Sequence, residues 1–561
     1  MQRLQTKLAQ SARLLRTIRH LRTGQILNRV SRRFVRSPSA SELAPPLRSP
    51  LGTWRNCPER DTSMLSPTDF RFIGEEARLD APVDWNNPAR PKLWLYNLHY
   101  FDDLRADGSE QRTEWHRNLI ERWRTENPPI AGSGWDPYPL SLRIVNWIAW
   151  SLAGHRLDDT TLQSLGVQVR HLRATLEYHL LGNHLFANAK ALVFAGCFFS
   201  GPEADGWLKA GLDLLAAELR EQILDDGGHF ELSPMYHAVI LEDLLDLVQL
   251  GEIFPAELGA RTLVWKTLSV RMLAWLSTMT HPDGEIAFFN DAASGIARTY
   301  GALAAYAAAL DIRPTSDDAS LRRLPASGYI RLEKGAFCTF LDTAEIGPSY
   351  LPGHGHADVL SLEVSFEGRR LLTNGGTSTY APGTRRDEER ATFAHGTVEI
   401  DGHSSSEVWA SFRVGRRAHP FDVRCGETGP DAWAEASHDG YRWLPGRPIH
   451  RRRVEVSSNM VRIIDIVTGA GNHSVTGRFP LHPSLTSVTM ESGGWRLELS
   501  GGHQIQVRVI GSPQLSVTKG YFAPTFGHRL QRPVLTWQYD GPLPLTIETR
   551  FESRRAHSPA D

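Results

Sequence analysis

The feature that most limits the fold of this chain is a change of hydrophobic period. From about 60 to 312, apolar residues recur at three- and four-residue spacing, as in SLRIVNWIAWSLAGHRL, DGWLKAGLDLLAAELREQIL and ARTLVWKTLSVRMLAWLSTM. That spacing lines one face of a helix. Short Gly, Pro and Asp breaks part these segments, and no strand pattern comes between them. Past the loop-like RPTSDDASLRRLPA (313–326) the period falls to two: GYIRLEKGAFCTFLDT, VLSLEVSFEGRRLLTN, RRVEVSSNMVRIIDIV and PLTIETRFE alternate apolar with polar. Such alternation, broken by Gly-containing turns, is the pattern of antiparallel strands.

The expectation is an α+β multidomain chain. Stacked helical hairpins, as a solenoid or a closed α/α toroid, fill 60–315. An antiparallel β-sandwich follows over 326–553, and a basic helix and linker precede both over 1–59. At 561 residues the chain exceeds one core. A cleft is expected where the two layers meet.

Charge and cysteine content exclude several classes. The net charge of −1 gives no global attraction for nucleic acid. Any grip on an acidic ligand has to be local. Four distant cysteines (Cys57, Cys197, Cys338, Cys425) suggest neither a disulfide framework nor a thiolate zinc site. No apolar run is long enough to span a bilayer.

The first 37 residues are rich in arginine and contain no acid. Leu4, Leu8, Leu15, Ile18 and Leu21 recur at helical spacing, and arginines interrupt what would be a secretory h-region. A basic amphipathic helix follows, packed on the protein itself or laid on an anionic membrane face.

Three segments of the helical half gather polar chemistry. LLGNHLFANAKALVFAG (180–196) opens a helix with Asn183 and His184 and puts Asn188 and Lys190 inside it. An asparagine there can be only an N-cap. In DDGGHFELSPMYHAVILEDLLDL (225–247), His229, Glu231, Tyr236 and His237 crowd a connecting segment, as at a site. WLYNLHYFDDL and GSGWDPYPLSLRIVNWI supply Asn97, His99, Tyr100, Trp135, Tyr138 and Arg143. Aromatic faces beside a guanidinium suit a carboxylated sugar: stacking on the ring, a fork on the acid. Seven tryptophans lie between 85 and 150, and most of them are expected in the core.

In the β half, LPGHGHADVLSLEV places His354, His356 and Asp358 on the lip of a strand. Residues i and i+2 share a face, so both histidines could ligate a metal with His395, or one ligates while the other faces the cleft. HGHAD is similar to the HxHxDH signature of metallo-β-lactamase-like hydrolases. Val359 stands where that signature needs histidine, and the region lacks the expected strand–helix units.

Taken in order, GNHLFANAKAL, GGHFELSPMYH, FNDAASG (289–295), GHGHADVLSLEV and AHGTVEIDG resemble the heparinase II/III family of polysaccharide lyases, over roughly 90–410. The resemblance implies an (α/α) toroid, a β-sandwich, and β-elimination at a uronic acid in the cleft. Asn183, beside His184, would neutralise the carboxylate. Tyr236 would protonate the leaving oxygen, and His354 would be a second base. Tyr138, Arg143, Trp135, His229 and Glu231 would contact substrate. Zinc would be structural, held by His356, His395 and the residue at 374. That residue is Asn374 where the family has aspartate, a poorer zinc ligand. The implied partner is an acidic polysaccharide, with no nucleic acid. The implied location is periplasmic, or cytoplasmic on the absence of a visible signal. The alternative is a non-catalytic polysaccharide-binding protein on the same scaffold.

Overall fold

The computed structural model describes residues 2–31, 42–313 and 319–554. Residues 32–37 of the basic segment, and the side chains of Leu4 and Leu8, lie outside that description.

Two short helices lead the chain, α1 (Gln2–Ile18) and α2 (Thr23–Ser31). The helical domain follows as α3 (Lys92–Tyr100), α4 (Thr113–Glu126), α5 (Pro137–Leu152), α6 (Asp159–Ala174), α7 (Gly182–Phe198), α8 (Pro202–Gln222), α9 (Pro234–Ile253), α10 (Pro255–Leu258), α11 (Arg261–Thr278) and α12 (Tyr300–Ala309). Capping fixes several starts. Asp158 accepts from the Thr161 amide at 2.7 Å, and Ser233 from the Tyr236 amide at 3.1 Å. Helix α7 packs on α5 and α8, and α9 on α11, so their facing sides are apolar. Trp85, Trp94, Trp123, Trp147 and Trp150 are in this core.

Lys190 is buried in α7, and its charge is matched. Its Nζ lies 2.6 Å from Asp243 and 2.6 Å from Asp246, and Arg105 holds Asp246 from the other side at 2.7 Å. Unpaired, such a charge would be prohibitive.

The β domain begins with a five-stranded antiparallel meander from Leu321 to Leu372. An eight-stranded and a four-stranded antiparallel sheet follow, and residues of all three share one core, among them Leu332, Ile463 and Trp537. The two domains meet through a separate apolar cluster, where Leu232, Trp275 and Phe289 pack on Leu324, Tyr329 and Phe340. Polar contacts fasten the same seam. Arg331 Nη1 donates to the carbonyl of Thr280 at 2.6 Å, and the His281 ring lies 2.7 Å from Ser365 Oγ and 2.8 Å from Glu363 Oε2. This seam fixes the helical side chains against the β-domain loops.

The leading helices lie against the protein's own surface. Arg16 donates to both carboxylate oxygens of Glu407 at 3.0 and 2.9 Å, and the Arg22 guanidinium stacks 3.6 Å over Tyr350. The same helices expose Leu14, Leu15, Ile18, Ile26, Leu27 and Val30. No described helix is long and apolar enough to cross a membrane.

Candidate active site

The site assembles where the start of α7, the start of α9 and the loop 351–358 converge. Leu181 (φ 64) and Gly182 (φ 56) turn the chain sharply before α7. A Cβ on Gly182 would lie 2.5 Å from Glu231 Oε1, so only glycine lets the backbone approach. That approach brings the Asn183 amide nitrogen within 3.1 Å of Glu231 Oε1. The Asn183 side chain lies beside Tyr138, whose ring is 4.4 Å from that of His184. Burial opposes charge on His184, but the Glu177 carboxylate 3.2 Å from Nδ1 outweighs it and holds the imidazole above its ordinary range. The α7 start therefore offers an amide and a readily charged imidazole side by side.

Glu231 is the link between the domains. One carboxylate oxygen takes the Asn183 amide, and the other takes Nδ1 of His354 in a short hydrogen bond. Burial alone would raise this carboxyl, but the bonded His354 ring outweighs that and holds it down to about 2. An ionised Glu231 fixes the His354 ring with Nδ1 as donor, and Nε2 is the ring nitrogen left outside that bond.

The loop carrying His354 is tied on both sides. Its carbonyl accepts from the Asp291 amide at 3.0 Å, and Arg390 donates to the Gly355 carbonyl at 2.8 Å and the Ser411 carbonyl at 2.9 Å. Ser411 precedes Phe412, whose ring packs edge-on to His354.

Tyr236 stands in the first turn of α9, its ring stacked on His354 at 3.9 Å and 8° from parallel. Its hydroxyl meets the Tyr380 hydroxyl at 2.9 Å. Burial pushes the Tyr236 phenol well above its usual range, and Tyr380 and Asp291 add to the push. It is a proton holder. Tyr380 and Asp291 are neighbours of Tyr236 outside the expected site residues, although Asp291 lies in the FNDAASG segment. Tyr380 had only a weak signal, an aromatic in the loop NGGTSTYAPG.

Several expected substrate contacts are corrected. Arg143 is fully buried and donates to Gln168 Oε1 at 2.9 Å and the Gly134 carbonyl at 2.9 Å, so it braces the helical core. Trp135 is buried between Trp123 and His171 and presents no open face. His229 is buried against Gln222 at 2.9 Å. Glu231 is also buried, bonded to His354 and to the Asn183 backbone amide. Tyr138 alone of that group stays partly open, beside Asn183.

Two family models match the chain: Heparinase II/III N-terminus over residues 151–320, and Heparinase II/III-like, C-terminal over 316–554. The chain belongs to the heparinase II/III family. Among relatives, a heparin-sulfate lyase of Bacteroides stercoris is 25% identical over 386 residues, covering 63% of this chain and 54% of that protein. A heparin-sulfate lyase of Bacteroides thetaiotaomicron is 37% identical over 209 residues, covering 34% of this chain and 29% of that protein. The chain spans about half the length, or less, of these curated relatives. A crystal structure of heparinase III superposes with TM-score 0.67 at 18% identity, covering 86% of this chain and 80% of that one. A heparan sulfate lyase of Pedobacter heparinus gives 0.59 at 16%, covering 88% and 82%. These likenesses establish the toroid-plus-sandwich fold.

Within the heparinase II/III family, zinc is the implied group at 356, 374 and 395, and the donor set here does not fit it. The His356 and His395 rings are 5.2 Å apart, but Asn374 Oδ1 is engaged with His395 Nδ1 at 3.0 Å, and His356 Nε2 with Asp291 at 2.8 Å. The two nearby carboxylates are both engaged: Asp291 is held by Arg386 at 2.7 Å, and Glu363 accepts the Asn374 backbone amide at 2.6 Å and meets His281 at 2.8 Å. Buried Arg390 and Arg532 add positive charge, and Arg532 Nη1 donates to the Thr373 and Asn374 carbonyls at 2.7 and 3.2 Å. Two neutral imidazoles and a neutral amide amid guanidinium groups make a poor four-coordinate zinc site. No group of three His, Cys, Asp or Glu with metal-holding geometry occurs among the described residues.

Proposed function

We propose that this protein cleaves a uronate-containing acidic polysaccharide by β-elimination. The observation that carries the reading is the stack of Tyr236 on His354, with Glu231 joining His354 to the Asn183 backbone. The reaction breaks C5–H and C4–O4 and forms the C4–C5 double bond. C5–H is weakly acidic, so the carboxylate must be neutralised as charge develops. The Asn183 amide and the raised His184 suit that task. Nε2 of His354 takes the C5 proton, and Glu231 on Nδ1 stabilises the imidazolium that forms. The Tyr236 hydroxyl delivers a proton to O4 as it departs, and Tyr380 hydrogen-bonds the phenolate left behind.

The names of the curated relatives make heparan sulfate the first polymer to try, with chondroitin, hyaluronan, alginate and bacterial exopolysaccharides beside it. The test is the ultraviolet absorbance of the conjugated double bond in the product. A folded protein that produces no such chromophore from any uronate polymer would sink the proposal. Binding without turnover, indifferent to Tyr236→Phe, would support the non-catalytic alternative.

The exposed aliphatic row on α1 and α2, in a segment without acids, supports peripheral contact with an anionic membrane. Co-sedimentation with anionic but not zwitterionic vesicles, lost in Leu15→Ser/Leu27→Ser, checks it.

A further inference from the structure

A second concave site lies on the β domain. Arg416, Arg417, Arg442 and Arg447 surround a cavity of about 460 Å3, with Trp443 in its wall and Asp439 as its one acid. Trp443 is 43% exposed, unusual for a tryptophan in this chain. The Arg416 guanidinium sits 3.9 Å over its ring, and His403 packs edge-on at 5.0 Å. The indole is thus held in place with area still open to solvent. Asp439 is already engaged, accepting the His419 amide at 2.8 Å. Arg417, Arg442 and Arg447 have no ion pair among the described residues. Burial first and then nearby Arg19 hold Arg417 down to about 10, with Glu345 pulling the other way.

The cavity adjoins the catalytic region through the chain itself. Arg416 and Arg417 directly follow the strand Arg413–Val414, and that hairpin presents Phe412 to His354 and Tyr380. Glu407 on the same hairpin takes Arg16 of α1, which fixes its outer side.

We propose that this cavity is an auxiliary binding site for acidic oligosaccharide, which holds a stretch of the polymer outside the catalytic cleft. Guanidinium forks match carboxylate or sulfate bidentately, and an exposed indole offers a flat apolar face to a pyranose ring. Three arginines unpaired among the described residues, beside Arg416, which pairs with Glu407 at 3.6 Å, also focus an attractive potential on a polyanion. The inference rests on the acidic-polysaccharide reading of the cleft, and it assigns that substrate a second point of attachment.

The test measures binding of long fluorescent chains of heparan sulfate and of alginate, one sulfated and one bearing carboxylates only, to the full protein carrying Tyr236→Phe. In that background Trp443→Ala and Arg442→Gln/Arg447→Gln are each expected to weaken at least one of the two polymers tenfold or more. The arginine pair also lessens the salt dependence. Arg496→Gln removes a half-buried, Glu491-paired charge from the distant strand Gly494–Glu498 and is expected to change Kd less than twofold. Circular dichroism checks folding, and the arginine variants lie on exposed positions that carry no core packing. Unchanged Kd for both polymers in all cavity variants overturns the proposal, and so does equal competition by duplex DNA. If no polymer yields the unsaturated product while the cavity variants still weaken binding, the lyase reading falls and the auxiliary site stands.

Discussion

The Tyr236 ring lies 3.9 Å from the His354 ring and nearly parallel to it, although one residue opens a helix of the toroid and the other sits on a β-domain loop. The contact sets a phenol against an imidazole across the domain boundary, which the apolar cluster of Leu232, Trp275 and Phe289 on Leu324, Tyr329 and Phe340 closes. Each partner has its own second support, Tyr380 for the phenol and Glu231 for the imidazole.

Tyr236→Phe keeps the stack and removes the proton. Stability should be unchanged within about 0.5 kcal/mol. The kcat for the best uronate polymer should fall by roughly 10²–10⁴ with KM little altered. Steady-state absorbance kinetics on the purified variant check both.

Glu231→Gln preserves shape but removes the charge that fixes Nδ1 of His354 as donor. We expect kcat to fall by about 10² or more, because the wrong tautomer leaves no base facing C5. Circular dichroism should match the parent. A variant as active as the parent would show that His354 works without its carboxylate.

Acid should destabilise the protein in two stages. His229 is buried neutral and held near 4, below its ordinary value, so the unfolded chain binds more protons than the folded one below about pH 6.5. Stability therefore declines as pH falls from about 6.5 toward 4. Glu231 is held down to about 2, so its contribution is present above the ordinary carboxyl range and is lost as pH falls toward 2. Melting temperature against pH should slope downward through the first window, and His229→Gln should flatten that slope.

Metal removal should leave activity and melting temperature unchanged, since the donor set at 356, 374 and 395 lacks a carboxylate. Elemental analysis of the chelator-free protein should give far less than one zinc per chain. Asn374→Asp supplies the missing charge and should raise zinc uptake, with a rise in melting temperature on adding zinc. Stoichiometric zinc in the parent protein would contradict this.

Arg386→Met strands Asp291, which is fully buried and leans on that guanidinium. Breaking a buried pair from one side costs about 3–5 kcal/mol. The denaturant midpoint should drop accordingly. Asp291→Asn/Arg386→Met together should recover part of the loss, because the uncompensated charge goes with its partner.

Much of the site was legible because its residues announce themselves locally. Asn183 and Tyr236 open helices whose caps and apolar periods are plain in the chain, and His354 sits between glycines before an alternating strand. Arg143, Trp135 and His229 misled for one reason: residue type says what a side chain can do, not whether solvent reaches it. Arg143 looks like a carboxylate fork and is instead closed over by Trp123, whose ring lies 3.7 Å from its guanidinium. Tyr380 had only its weak loop signal and Arg390 had none, because their partners come from distant segments.

The amino-acid order alone determined the two architectures and their sequence in the chain, since the spacing of apolar residues dictates which backbone can bury them. It also named the amide, phenol and imidazole. Only the packed structure decided which polar groups face solvent and which carboxylate orients which imidazole. It also decided that the carboxylates near Asn374 are already bound, Glu363 to the Asn374 amide and His281, and Asp291 to Arg386. Those outcomes depend on distances between segments far apart in the chain, which the closure of the inter-domain seam sets and no local pattern encodes.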